Sequence, residues 1–129
     1  MDFDPDLPIY LQIMNDIKRQ IFSGALAPGD KLPSVRELAE SIKVNPNTIV
    51  RSYQELEREG VTETRRGTGT FVGEDEKMLA QIRTEQSQRL VRNFLRQMKS
   101  SGFSREQIAS LVEAAFDDCE ERSTTGGAI

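Results

Sequence analysis

The stretch PSVRELAESIKVNPNTIVRSYQELEREG, residues 33–60, holds two amphipathic segments separated by a very short break. In the first segment, Ser34 and Glu37 form an S-x-x-E capping box ahead of an apolar stripe with helical spacing. The break falls at Lys43 and Val44, and Asn45 then suits the N-cap of a second helix. Two short helices joined by so tight a turn predict a helix-turn-helix.

The second of these helices is predicted to run from about Pro46 to Glu59 and to end at Gly60. Its core face carries apolar residues at helical spacing: Ile49, Tyr53 and Leu56. The opposite face carries side chains with donors that reach outward: Asn47, Arg51, Gln54 and Arg58. One face of this helix is therefore free to contact a partner.

The neighbouring segments complete a small domain. Residues 7–24 predict a first helix in which isoleucine recurs every fourth residue, at positions 9, 13, 17 and 21. Residues 61–72, VTETRRGTGTFV, predict a β-hairpin with a basic, glycine-rich tip. Three helices followed by such a hairpin make a winged helix-turn-helix, here assigned to residues 1–73. The expected fold class is mainly α with a small β-hairpin.

Residues 74–122 predict a C-terminal helical dimerisation segment. The stretch 74–102 has the pattern of a long helix, but residues 83–89 are entirely polar, which leaves one helix or two open. A further helix follows Ser104, and Cys119 is expected as a small core residue near its end. Two such helices do not cover both apolar stripes by themselves, so we expect a homodimer. Residues 123–129 are expected to form a disordered tail.

The composition limits the function. The chain has 129 residues, no histidine and one cysteine, and no apolar run approaches the length of a membrane span. Histidine is the commonest metal ligand and general base, and a lone cysteine without it is a poor nucleophile. We therefore expect a cytoplasmic protein that is not an enzyme and has no catalytic residue, metal site or cofactor.

The distribution of charge along the chain suits nucleic-acid binding better than the net charge does. The net charge is −4, but residues 31–72, with seven basic and six acidic side chains, are net +1. In a winged helix-turn-helix the third helix enters the major groove by its N-terminal end. Arg51 lies one turn into that helix, where an arginine can reach guanine O6 and N7.

Other interpretations of the same residues stay open. Capping alone would explain Asn45, and Asn47 and Thr48 fit either a structural or a DNA-binding role. Arg36 either reaches a phosphate or pairs with Glu40 one turn along its helix. The basic tip of the hairpin is a stronger indication, since arginines on a tight turn suit contact with a groove or a phosphate backbone.

Four motifs in residues 8–72 occur together: G-x-L-x-P-G-D-x-L-P-S-x-R-E-L-A, V-N-x-N-T, Y-x-E-L-E-x-E-G and R-x-G-x-G-T-F-V. This set closely resembles the DNA-binding domain of the GntR family of bacterial transcription regulators. Pro46 stands where many members carry a basic residue, which shifts the expected contacts toward Arg51 and the wing. The resemblance implies DNA contacts from Arg36, Asn45, Asn47, Thr48, Arg51, Arg66, Gly67, Thr68 and Gly69.

The short two-helix tail is similar to that of the YtrA subfamily, in which the tail serves dimerisation. The resemblance implies a homodimeric transcription factor, a repressor whose partner is a double-stranded, palindromic DNA operator. Two alternatives stay open from the residues themselves. One is a winged-helix protein-interaction module, and the other is a sensor that binds a small-molecule effector between the C-terminal helices and the DNA-binding domain.

Overall fold

The computed structural model describes residues 1–125 and shows five helices and one β-hairpin in that part of the chain. It divides into two compact units, Met1–Glu85 and a second unit that begins at Gln86. No helix among the described residues has the length and apolar character of a membrane span. In chain order the elements are α1 (Ile9–Phe22), α2 (Val35–Ile42), α3 (Pro46–Arg58), β1 (Thr62–Arg65), β2 (Gly69–Val72), α4 (Glu76–Ser100) and α5 (Arg105–Thr125).

The turn between α2 and α3 follows the chemistry expected from the sequence. The Ser34 hydroxyl accepts a hydrogen bond from the Glu37 N–H at 3.1 Å and so caps α2. Helix α2 ends at Lys43, which adopts a left-handed conformation with φ 56°. Asn45 then begins α3 after only one further residue. The helix-turn-helix is confirmed, and with the hairpin it forms the winged helix.

Helix α3 is the centre of the first unit and packs mainly on α1. Ile49 and Leu56 are fully buried and belong to the same hydrophobic core as Ile13 and Ile17 of α1. Lys18 on α1 pairs with Glu59 just past α3, with 2.8 Å between Nζ and Oε2. The core stripe of α3 is therefore as expected, whereas Ile9 at the start of α1 remains exposed.

The wing has an extra backbone neighbour that the sequence did not reveal. Strands β1 and β2 pair antiparallel, with Thr62 opposite Val72 and Arg65 opposite Gly69. On the other edge of β2, the Leu32 N–H donates to the Thr70 carbonyl at 2.8 Å. Because this segment follows a Pro-Gly turn signal, its pattern did not indicate a strand. The wing is thereby tied to the segment that leads into α2.

In the C-terminal region the structure shows one helix where the sequence left one or two open, and it ends the first unit later than residue 73. Helix α4 is continuous through the polar stretch 83–89. The first unit extends beyond residue 73 to Glu85, because Leu79 and Ile82 of α4 pack on its core. Helix α5 runs to Thr125, so it includes residues 123–125 of the expected tail, while 126–129 lie outside the described residues. Cys119 is exposed, not part of a core as expected.

Candidate nucleic-acid interface

The first turn of α3 presents short polar side chains at the N-terminal end of the helix. The Asn45 side-chain oxygen accepts from the Asn47 N–H at 2.8 Å, so Asn45 caps the helix. This capping leaves the Asn45 amide group available as a donor. Asn47 is exposed and Thr48 is half-buried on the same turn. The positive end of the helix dipole lies here, which favours a phosphate or another anion.

Arg51, one turn deeper, rests on an aromatic ring from another helix. Its guanidinium carbon lies 3.7 Å from the ring centroid of Tyr10 on α1. Arg51 is exposed, and within residues 1–119 it has no ion pair. Sequence reasoning did not find this contact, because no pattern relates the first turn of α1 to the middle of α3. The guanidinium is held by stacking and keeps its charge unpaired.

Arg36 and Arg66 are the other two expected basic contacts. Both are exposed, Arg36 on the first turn of α2 and Arg66 at the wing tip. Among the side chains that the structure describes, neither arginine forms an ion pair. The alternative pairing of Arg36 with Glu40 is therefore absent from this structure. Each arginine has a free guanidinium suited to a phosphate.

Helix α2 is fixed against α3 by a buried phenol. The Tyr53 hydroxyl donates to the Pro33 carbonyl at 2.7 Å, at the entry to α2. Burial raises the pKa of Tyr53 to about 12, and the Glu37 carboxylate adds to this effect. Tyr53 therefore stays neutral and remains a donor at neutral pH. This bond holds the start of α2, with Arg36, in a defined position beside α3.

The wing tip is a tight turn built around two glycines. The Thr68 N–H donates to the Arg65 carbonyl at 2.9 Å and closes the turn. Gly67 and Gly69 have φ of 75° and 131°, conformations that favour glycine. Arg65 already has partners, because its guanidinium carbon lies 4.3 Å from the centroid of the Phe71 ring and it pairs with Glu74, just after β2, at 3.1 Å. Arg66 is the basic side chain that projects from the tip.

The acidic residues in the second half of α3 and at its C-cap have partners inside the first unit. Glu55 pairs with Arg58 at 3.1 Å, and Glu57 accepts from the Thr64 N–H at 3.1 Å. Glu59 pairs with the buried Lys18. These contacts offset or occupy the carboxylates, which weakens their repulsion of a polyanion.

Lys31 is a basic residue beside the wing that sequence reasoning missed. Its backbone bridges to Phe71, and its side chain lies against Gly69, where an added Cβ would come 2.8 Å from Cε. Lys31 is exposed. A lysine within a turn signal gives no hint of this position, since only the pairing of residues 30–32 with β2 brings it there.

Comparison with known proteins identifies the family. The model of the bacterial regulatory proteins of the gntR family matches residues 9–72. The HTH-type transcriptional regulator YhcF of Bacillus subtilis is 45% identical over 106 residues, which cover 82% of this chain and 88% of YhcF. The chain belongs to the GntR family. It is accordingly a DNA-binding transcription regulator and not an enzyme.

Two further relatives of this GntR-family chain bear on its fold and its subfamily. The transcriptional repressor YtrA of Bacillus subtilis is 56% identical over 70 residues, which span 54% of each protein. A solved GntR-family regulator from Listeria monocytogenes superposes with a TM-score of 0.81 at 41% identity, covering 87% of this chain and 98% of that one. The winged-helix fold is thus confirmed, and the likeness to YtrA agrees with a YtrA-like subfamily.

Proposed function

We propose that this GntR-family regulator is a homodimeric repressor that reads a palindromic operator with α3 and the wing, acting in the cytoplasm. The observation that carries the proposal is the contrast between three exposed arginines of α2, α3 and the wing and the carboxylates of α3. Arg36, Arg51 and Arg66 are exposed and unpaired within the described residues, whereas the carboxylates of α3 have partners. The name of YtrA as a repressor supports the direction of regulation.

The proposed contacts divide into two kinds. Arg51 reads a base edge in the major groove, where guanine O6 and N7 accept both N–H groups of a guanidinium. The remaining residues position the protein on phosphates and sugars, which fixes register and orientation. This second group comprises Arg36, Asn45, Asn47, Thr48, Arg66, Gly67, Thr68 and Gly69.

The proposed dimer contact lies in residues 74–122. Leu90, Val91 and Phe116 are 62%, 56% and 60% exposed in the single chain. Large apolar side chains left exposed on two helices are typical of a surface that a partner covers. A second copy of the same chain would bring two winged helices together for a two-fold symmetric operator.

The proposal is tested by selecting binding sites from a randomised duplex library with the purified protein. We expect an enriched palindrome whose half-sites lie about one helical turn apart, roughly 34 Å. Binding to that palindrome should fall linearly on a plot of log affinity against log salt concentration. Salt-sensitive binding without any enriched sequence would contradict the proposal, and an enriched single half-site would contradict the dimer.

The sign of regulation needs a separate measurement. A reporter promoter carrying the selected palindrome over its start site should be transcribed less when the protein is added in vitro. A promoter with a scrambled palindrome is the control. Increased transcription from the intact promoter would show an activator instead.

A further inference from the structure

Tyr10 and Arg51 form a stacked pair. A distance of 3.7 Å from the guanidinium carbon to the ring centroid places the two planar groups face to face. A guanidinium that pointed edge-on at the ring would hold its carbon farther away. The ring therefore covers one face of the guanidinium and leaves the in-plane N–H groups free.

The ring is held in place by the packing of α1 on α3. The hydroxyl of Ser52, the residue after Arg51, lies 3.0 Å from the Tyr10 carbonyl oxygen and 3.1 Å from the Thr48 carbonyl oxygen, so its one proton is shared between them; Ser52 is fully buried. Ile13, one turn further along α1, is in the core. The backbone of Tyr10 is thus fixed to the part of α3 that carries Arg51. Tyr10 itself is half-buried, whereas Arg51 is exposed.

We infer that Tyr10 is a positioning residue for base recognition by Arg51. The inference rests on the proposed role of Arg51 at a guanine. Bidentate binding to guanine uses the in-plane N–H groups, which the stack leaves exposed. A free arginine loses side-chain entropy when it is ordered at an interface, whereas a stacked one is already restricted. Tyr10 therefore strengthens the base contact without touching the base.

The test uses the duplex selected by the native protein and a second duplex in which the base pair read by Arg51 is changed. Affinities for both are measured with Tyr10→Leu, Tyr10→Phe, Arg51→Ala and the double variant Tyr10→Leu/Arg51→Ala. Thermal melts check the fold, and Tyr10→Met replaces Tyr10→Leu if that protein is unfolded. Tyr10→Phe is the matched control because it keeps the ring and removes only the hydroxyl.

We expect Tyr10→Leu to weaken binding to the selected duplex by about two- to fivefold, the scale of an exposed cation–π contact. Tyr10→Leu should also discriminate less between the selected duplex and the duplex changed at the base pair that Arg51→Ala affects. Tyr10→Phe should retain the native discrimination. In the Arg51→Ala background, Tyr10→Leu should have no further effect.

Three results would overturn the inference in distinguishable ways. If Arg51→Ala relaxes one base pair and Tyr10→Leu does not, the proposed function stands and Tyr10 is not a positioning residue. If Tyr10→Leu weakens binding equally in both backgrounds, its role is structural. If Arg51→Ala leaves every base preference unchanged, the proposed base reading by Arg51 fails, and the inference fails with it.

Discussion

At the scale of single residues, three arginines have the same charge but different surroundings. Arg51 is stacked on Tyr10, Arg65 is held by Phe71 and Glu74, and Arg66 projects from a turn. A guanidinium already bound to a carboxylate is a weaker phosphate ligand than a free one, because the two acceptors compete. Local environment thus separates the proposed DNA contacts from a neighbouring arginine with a structural role.

The variants Arg51→Ala and Arg66→Ala should change DNA binding in different ways. We expect Arg51→Ala to cost about 1–3 kcal/mol of binding free energy and to relax specificity at one base pair. Arg66→Ala should weaken binding to all duplexes evenly and reduce the slope of log affinity against log salt by about one. Site selection and salt titration with both variants measure this. A selective loss at one base pair in Arg66→Ala would argue against a phosphate contact.

The raised pKa of Tyr53 leads to a prediction about folding stability at high pH. Its pKa is raised to about 12 in the folded chain, from 10.0 ordinarily. The unfolded chain therefore releases the proton first, and the stability contributed by neutral Tyr53 is complete below pH 10 and lost as pH rises toward 12. Tyr53→Phe should cost about 1 kcal/mol at pH 7, because it removes the hydrogen bond to the Pro33 carbonyl.

The difference in stability should shrink and then reverse between pH 10 and 12, since phenylalanine does not titrate and each unit of the Tyr53 pKa shift corresponds to about 1.4 kcal/mol. Urea unfolding of both proteins at pH 7 and across this alkaline range measures the difference. Parallel pH profiles would mean that the phenol is not protected from ionisation in the folded state.

At the scale of elements, α1 and the end of α3 are joined by a partly buried ion pair. The side chain of Lys18 is 8% exposed and that of Glu59 is 36% exposed. Glu59→Gln leaves the buried ammonium without a counter-charge and should cost about 1–3 kcal/mol of unfolding free energy. Lys18→Met keeps the apolar stem and leaves Glu59 free to face water, so it should cost less. Urea unfolding compares them, and the reverse order would contradict the burial argument.

The two glycines of the wing turn lead to a second prediction at the scale of elements. An added Cβ at Gly67 meets no atom within 4 Å, so Gly67→Ala should cost only backbone strain, about 1–2 kcal/mol. Gly69→Ala should cost more, because its φ of 131° lies farther from any conformation that alanine adopts readily. The Lys31 side chain approaches the added Cβ only with its flexible end and can move aside, so replacing Lys31 by alanine should leave the cost of Gly69→Ala nearly unchanged. Unfolding free energies of the single and double variants test this, and a cost that disappears in the Lys31→Ala background would contradict the backbone argument.

At the scale of the whole molecule, exposed apolar residues on α4 and α5 bear on assembly. If residues 74–122 form the dimer, Leu90→Glu should weaken self-association at least about tenfold, because it buries an unpaired carboxylate. Arg92→Gln, an exposed change on the same helix with the same change in net charge, is the matched control. Light scattering across micromolar concentrations measures the mass. A native protein that is monomeric there would refute the dimer.

The sequence by itself determined the elements and their order. The capping box at Ser34, the asparagine cap of α3 and the glycine turn of the wing act through bonds within a few residues. The apolar spacing of Ile49, Tyr53 and Leu56 follows from the helical period. Such local rules also carried the family motifs, so the winged helix was predictable from the sequence. The surface of α3 that we propose to bind DNA is likewise a prediction from the sequence.

Only the tertiary structure decided which distant residues meet. The stack of Tyr10 with Arg51, the burial of Lys18 against Glu59 and the position of Lys31 beside Gly69 have no local signal. They depend on how α1 crosses α3 and on how residues 30–32 pair with β2. Packing of several elements at once sets those angles and pairings, and the periodicity of any one element does not contain them.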